Sequence, residues 1–294
     1  MTDLPVAAIS VGPADPGRLA YRFVRDPKAC AGAAIVVLLV AIAALAPVLA
    51  PYPYDDTDLL AAWVPPSSAH WIGTDKLGRD ILSRLLFGAR TSLLVSVSVL
   101  GITLTVGMAL GMLAGYLGGW VDSVVSRLAD IVFAFPDVVF AILVAAVLGP
   151  SMLTVIVALS IVWWPGVARL TRALVLVQRN ETFVEAAVVC GTPVARILVR
   201  HILPNIVPPL IVRASIGIGF IIMSEATLSL LGLGVQEPQP SWGSMIRDGL
   251  EALRTDPYLA LSGSAMLAVT IIGFNLLGDG LRDLLDPKLA GSLR

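Results

Sequence analysis

Six stretches of this sequence are apolar over close to the twenty or so residues that a helix needs to cross roughly 30 Å of hydrocarbon. They run approximately over Ala29–Ala50, Ser92–Leu117, Ile131–Leu148, Met152–Leu170, Ile206–Leu230 and Tyr258–Leu277. Between the third and fourth, Gly149-Pro150-Ser151 interrupts the helix and leaves room only for a tight hairpin. The expected fold class is therefore all-α, a polytopic membrane protein with about six transmembrane helices. The expected organisation is a cytoplasmic N-terminal segment over 1–28, one transmembrane domain over 29–285 and a cytoplasmic tail over 286–294.

Composition agrees with lipid as the main solvent. Of 294 residues 57% are hydrophobic and 14% charged, against roughly 25% charged in a soluble domain. Net charge is -1, so no global excess points to nucleic acid. The first apolar run is too long for a signal-peptide core and reads as a retained span. Cys30 and Cys190 have no CxxC spacing, and His70 and His201 are too few for a metal site or a catalytic triad.

Orientation follows from Lys and Arg, which accumulate in cytoplasmic loops. Arg18, Arg22, Arg25 and Lys28 precede the first span, Arg127 lies between the second and third, and Arg169, Arg172, Arg179, Arg196 and Arg200 surround the fourth-to-fifth loop. Arg282, Lys288 and Arg294 close the chain. The opposite side holds fewer, so both termini are expected in the cytoplasm.

Two longer loops fall outside. Pro51 to His70 is rich in Pro, Tyr, Asp and Ser and reads as irregular chain, followed by a short amphipathic helix over Asp80–Ala89 that leads into the second span. Its apolar face carries Ile81, Leu82, Leu85 and Leu86, with Arg79, Ser83 and Arg84 elsewhere. The second loop, Gly232 to Pro257, carries Trp242 and, just past its end, Tyr258, read as headgroup-level aromatics.

The most informative segment is Thr182 to Asn205, on the cytoplasmic side. Thr182 with Glu185 three residues on spells a capping box, so a helix is expected to start there and end at Gly191 in the left-handed conformation. Thr192 then caps a second helix with Pro193 at its first position, until Pro204 stops it. The product is a helix–turn–helix elbow whose small residues Ala186, Ala187 and Gly191 allow close approach of another protein. A purely structural re-entrant hairpin fits the same pattern.

Glu185-Ala186-Ala187, Gly191 and Ile202-Leu203-Pro204 resemble the signature loop of bacterial ABC importer permeases. In that family the loop is a coupling helix that docks into a cleft on the ATP-hydrolysing subunit. Residues Ile72-Gly73-Thr74-Asp75, Gly78-Arg79-Asp80, Ser83-Arg84, Gly88, Arg90 and Ser92-Leu93 are similar to the segment before span two in C-type permeases of dipeptide and oligopeptide importers. Gly115 to Gly119 with Asp122, Phe135-Pro136, Glu225 to Gly234 and Pro240-Ser241-Trp242-Gly243 resemble the same subfamily.

The resemblance covers about Ala29 to Leu285. It implies a type I ABC importer permease fold in the bacterial cytoplasmic membrane, with Glu185, Ala186, Ala187, Gly191, Thr192 and Pro193 coupling to ATPase subunits. The implied partners are a second related permease, two ATP-binding subunits and an extracytoplasmic substrate-binding protein, with peptide as substrate. Related permeases carry nickel complexes or glutathione.

Gly73 to Asp80 superficially matches a phosphate loop but lacks the closing Gly-Lys-Ser/Thr. No cofactor is expected on this chain, so ATP and Mg would be used by partner subunits, and the chain is read as a non-catalytic membrane subunit. Thr103, Gly107, Gly111 and Gly115 form a small-residue stripe suited to close helix packing or, less simply, to lining a path.

Three ionisable residues inside spans, Asp137, Arg213 and Glu225, are candidates for the translocation path. Glu225 could instead cap a helix end or touch the partner permease, and Arg213 could snorkel to headgroups. The rival from another class is a stand-alone ion-coupled transporter. Such proteins show internal repeats and coupling acids at midplane, which this sequence does not display.

Overall fold

The computed structural model describes residue 21 and residues 23–285, so the expectations for 1–20, Arg22 and the tail lie outside the described residues. Nine helices are traced through 27–285: α1 (Pro27–Leu49), α2 (Ile81–Leu117), α3 (Gly119–Phe133), α4 (Asp137–Leu148), α5 (Met152–Gln178), α6 (Thr182–Val189), α7 (Val194–Leu230), α8 (Trp242–Leu250) and α9 (Tyr258–Leu285). Five of them, α1, α2, α5, α7 and α9, are long and apolar enough to cross a membrane, and α3 with α4 makes a bent sixth. Helices alternate in direction, which gathers the loop 51–80 and α8 at one end of the bundle and α6 at the other.

α2 packs along α5, and α9 lies against both α1 and α7. The stripe foreseen on α2 makes the first contact possible. A Cβ at Gly107 would stand 2.7 Å from Val167 Cβ, at Gly111 2.5 Å from the Ala168 carbonyl oxygen, and at Gly115 2.9 Å from that of Arg172. Backbone thus meets backbone, and dispersion at short range replaces the hydrophobic driving force that lipid does not supply. Gly111→Leu is expected to cost about 1–3 kcal/mol through overpacking, read as a lower unfolding temperature of the purified permease in detergent. Leu at Gly101, which has open space around it, is the control.

Several expectations are corrected. The third span, placed over Ile131–Leu148, is not one helix: α3 and α4 meet at 89° across Ala134–Pro136. Pro136 supplies no N–H and disfavours helical backbone at Phe135, so the helix ends before it and restarts after it. With 12 residues α4 is only about 18 Å long.

Pro204 has the opposite outcome, because α7 runs through it. Residues Ile197–Ile202 widen into a π-helix in which Leu203 N–H donates to Leu198 O, shifting the bonding frame just where proline would clash with the preceding turn. The amphipathic segment over Asp80–Ala89 is continuous with α2, a single helix of 37 residues. Its polar face is not solvated: Ser83 and Arg84 are buried, as is Arg79 just before the helix.

Trp242, expected at headgroup level, has no exposed surface and donates from Nε1 to Leu85 O at 3.2 Å. It opens α8, a helix the sequence reading missed. Ser241 caps α8 with Ser244 in a reciprocal pair, a signal present in the residues but short.

Candidate coupling elbow and outer cap

At the α6 end, the chain leaves α5 through Arg179, whose Nη1 donates to Tyr116 O at 3.0 Å and so pins the elbow to the end of α2. The N-cap of α6 is Glu181, without a side-chain bond, and Thr182 is the first helical residue, so the foreseen capping box does not form. Gly191 is left-handed as its role requires, with φ +73°. Its N–H donates to Val188 O, and Thr192 N–H to Ala187 O, which closes the helix end. Pro193, rather than Thr192, then caps the short α-helical start of α7.

α6 buries Val184 and Ala187 against Ile197, Leu198, Ile202 and Ile206. Its opposite side leaves Glu185 and Ala186 exposed, together with Val188 (53%) and Val189 (87%). Exposed apolar side chains grouped in this way are a common feature of protein–protein contact surfaces. Beside them opens a cleft of about 540 Å³, lined by Tyr116, Arg179, Val184, Glu185, Val188 and Val189. Arg172 grips Asp122 through both Nε and Nη2, and Arg169 pairs with Asp130, so α3 is tied to α5 near the same end.

The opposite end is a cap built around a buried carboxylate. Asp75 Oδ1 accepts the backbone N–H of Leu77 (2.8 Å) and Arg79 (3.0 Å), while Oδ2 accepts Arg79 Nε at 2.7 Å. Arg84 Nε stands 3.3 Å from the same Oδ2, and all three side chains are at most 2% exposed. Gly78 takes φ +74°, and a Cβ there would meet Asp58 O at 1.8 Å; Gly73, at φ +94°, lies against Val64 O. Asp80 caps α2 by accepting from Ser83 N–H and Oγ–H, both at 2.8 Å, and faces His70 Nδ1 at 3.0 Å. Gly73, Asp75, Gly78, Arg79 and Asp80 are thus brought together, as the floor of the cap.

The second loop completes the cap. Arg79 Nη2 donates to Glu237 at 3.2 Å, and Lys76 pairs with Asp248 of α8 at 3.3 Å. Burial pushes the Glu237 carboxyl up, but the Arg79 hydrogen bond and the charges of Arg79, Lys76 and Arg84 outweigh it and hold the group below its ordinary value. A lowered carboxyl stabilises the folded state above its unfolded pKa and loses that stabilisation as pH falls through the folded one. Wild type should therefore unfold at a higher temperature than Glu237→Gln at neutral pH, and the difference should shrink as pH falls below the ordinary glutamate value of about 4.3 and through the lower folded one.

The three intramembrane candidates share no partner. Asp137 is exposed in the first turn of α4, at the break after Pro136. Glu225 has no exposed surface and accepts from Ser92 Oγ (3.2 Å) and Ser229 Oγ (2.8 Å), so it joins α7 to α2. Ser92 and Ser229 were not foreseen as its partners. Arg213 is half-buried near the middle of α7, with its guanidinium 5.7 Å from the centre of the Trp163 ring.

Residues 107–291 match the model of the family described as binding-protein-dependent transport system inner membrane component. Residues 16–66 match the N-terminal TM domain of oligopeptide transport permease C. The chain is 45% identical over 271 residues to a glutathione transport system permease protein of Pectobacterium atrosepticum, covering 91% of this chain and 89% of the relative. It is 41% identical to a dipeptide transport system permease protein of Alkalihalophilus pseudofirmus, covering 93% and 90%. To an oligopeptide transport system permease protein of Bacillus subtilis it is also 41% identical, covering 91% and 88%.

Proposed function

Because the chain belongs to the family of inner membrane components of binding-protein-dependent transport systems, we propose that it is the permease subunit of an ATP-driven importer of peptides. In this reading a second, related permease encloses the path with it, and an extracytoplasmic binding protein delivers solute to the cap. Two ATPase subunits, which use ATP and Mg, grip the elbow from Glu185 to Pro193. The termini and the elbow lie in the cytoplasm, where Lys and Arg accumulate.

The observation that carries the reading is the elbow itself. Its inner face, Val184 and Ala187, is packed into the base of α7, while Glu185, Ala186, Val188 and Val189 stand free. A knob joined by a tight turn to a 37-residue helix is suited to pass a push from outside the membrane into the bundle. Glutathione is the second reading of the solute, supported by the 45% identity to a glutathione permease.

The test is accumulation in membrane vesicles that contain the assembled transporter and its binding protein, supplied with a labelled dipeptide or with labelled glutathione. Uptake is expected to require ATP and to resist ionophores. Uptake by this chain alone, collapsing with the ion gradient, would overturn the ATP-driven reading.

A further inference from the structure

A cation inside a span is costly and ordinarily faces an acid or a water-filled route. Arg213 has neither an ion pair nor a hydrogen bond among the described residues, and only the Trp163 ring, 5.7 Å away, attracts its charge. Room has been left around it: a Cβ at Gly217 would stand 3.1 Å from Nη1 and one at Gly166 3.6 Å from Nη2. Trp163 contributes a second unmet demand, because its Nε1 is buried without a hydrogen-bond partner. Phe220 stacks at a tilt 6.2 Å from Trp163 and is 51% exposed, so this group borders a face open to whatever lies beside α7.

The geometry points to Arg213 as the station that holds the carboxylate of the translocated solute within the membrane. A guanidinium offers a planar fork of donors that matches a carboxylate bidentately, and the aromatic rings beside it exclude water from the contact. The glycines keep the fork unobstructed. This inference rests on the peptide-import reading: dipeptides, oligopeptides and glutathione all carry a free carboxylate, and none of the described residues supplies one here. The alternative occupant, an acidic side chain on the partner permease, is an outcome of the test.

In vesicles holding the assembled transporter, uptake of a labelled alanyl tripeptide is compared with that of its C-terminal amide for wild type, Arg213→Lys and Arg213→Gln. Solute-independent ATP hydrolysis and subunit copurification report intact assembly. Removing a charge-assisted contact should lower uptake of the free acid by about tenfold in Arg213→Gln. Arg213→Lys should retain a substantial share, and any amide uptake should be unchanged by either substitution. Equal loss in Lys and Gln variants, or equal loss of acid and amide, overturns the inference and leaves the import reading standing. Recovery of Arg213→Gln on neutralising an acidic residue in the partner's spans also overturns it. If the wild type moves neither this tripeptide, a dipeptide nor glutathione, the import reading falls and this inference with it.

Discussion

Gly191→Pro is expected to abolish solute accumulation, by more than tenfold, while the chain remains in the membrane. Nothing lies within 4 Å of where a Cβ would stand at Gly191, so the effect is conformational and not steric crowding. At φ +73° the backbone is out of reach of proline, whose ring holds φ near −65°. Proline also deletes the N–H that Gly191 donates to Val188 O and disfavours the backbone of Cys190, now φ −72°, ψ 2°. The turn between α6 and α7 must then reopen, and the knob loses its fixed angle to the long helix.

Gly191→Asn separates angle from identity, because asparagine tolerates the left-handed region and should keep most of the uptake. Ala187→Glu attacks the same joint from its buried side, placing a charge among Val184, Ile197, Leu198 and Ile202. Both damaging variants are measured by labelled-peptide uptake, by copurification with the ATPase subunits and by ATP hydrolysis. On the proposed coupling role, hydrolysis should no longer respond to loaded binding protein. Unchanged uptake in both would remove the elbow from the mechanism.

What could be read from residues alone follows from how far each signal reaches along the chain. A span needs an uninterrupted apolar run, so the all-α class and five of the apolar helices were legible, as was the glycine stripe that lets α2 meet α5. Hydropathy averages over a window and is blind to single residues that bend the chain. Pro136 breaks a helix at 89° while Pro204, Pro208 and Pro209 sit inside one, and only the neighbouring π turn shows why Pro204 is tolerated.

The cap was illegible for another reason. Arg79, Ser83 and Arg84 look like the wet face of an amphipathic helix until a loop more than 150 residues later covers them, as the Arg79–Glu237 and Trp242–Leu85 bonds record with separations of 158 and 157. The same distance hid the partners of Glu225, since Ser92 lies 133 residues away on α2.

That cap is also where a single atom change should cost most stability. Asp75→Asn keeps the shape of the side chain but removes the one negative charge that both Arg79 and Arg84 face within 3.3 Å. Arg79 retains Glu237 at 3.2 Å, whereas Arg84, 1% exposed and with no hydrogen-bond partner for Nε or Nη1, retains nothing that close. Breaking a buried ion pair from one side leaves an uncompensated charge and typically costs about 3–5 kcal/mol, which for a chain of this size lowers the unfolding temperature by about 10 °C.

Adding Arg84→Met to Asp75→Asn should return part of that loss, because an apolar side chain of similar reach removes the orphaned charge together with its need for a partner. The measurement is thermal unfolding of the purified permease in detergent, wild type beside the single and double variants. If the single variant unfolds within a degree or two of wild type, the carboxylate is not what holds the two guanidinium groups beneath the loop. If the double variant is worse than the single one, Arg84 contributes by packing rather than by charge, and its methylene stem becomes the part that supports the start of α2.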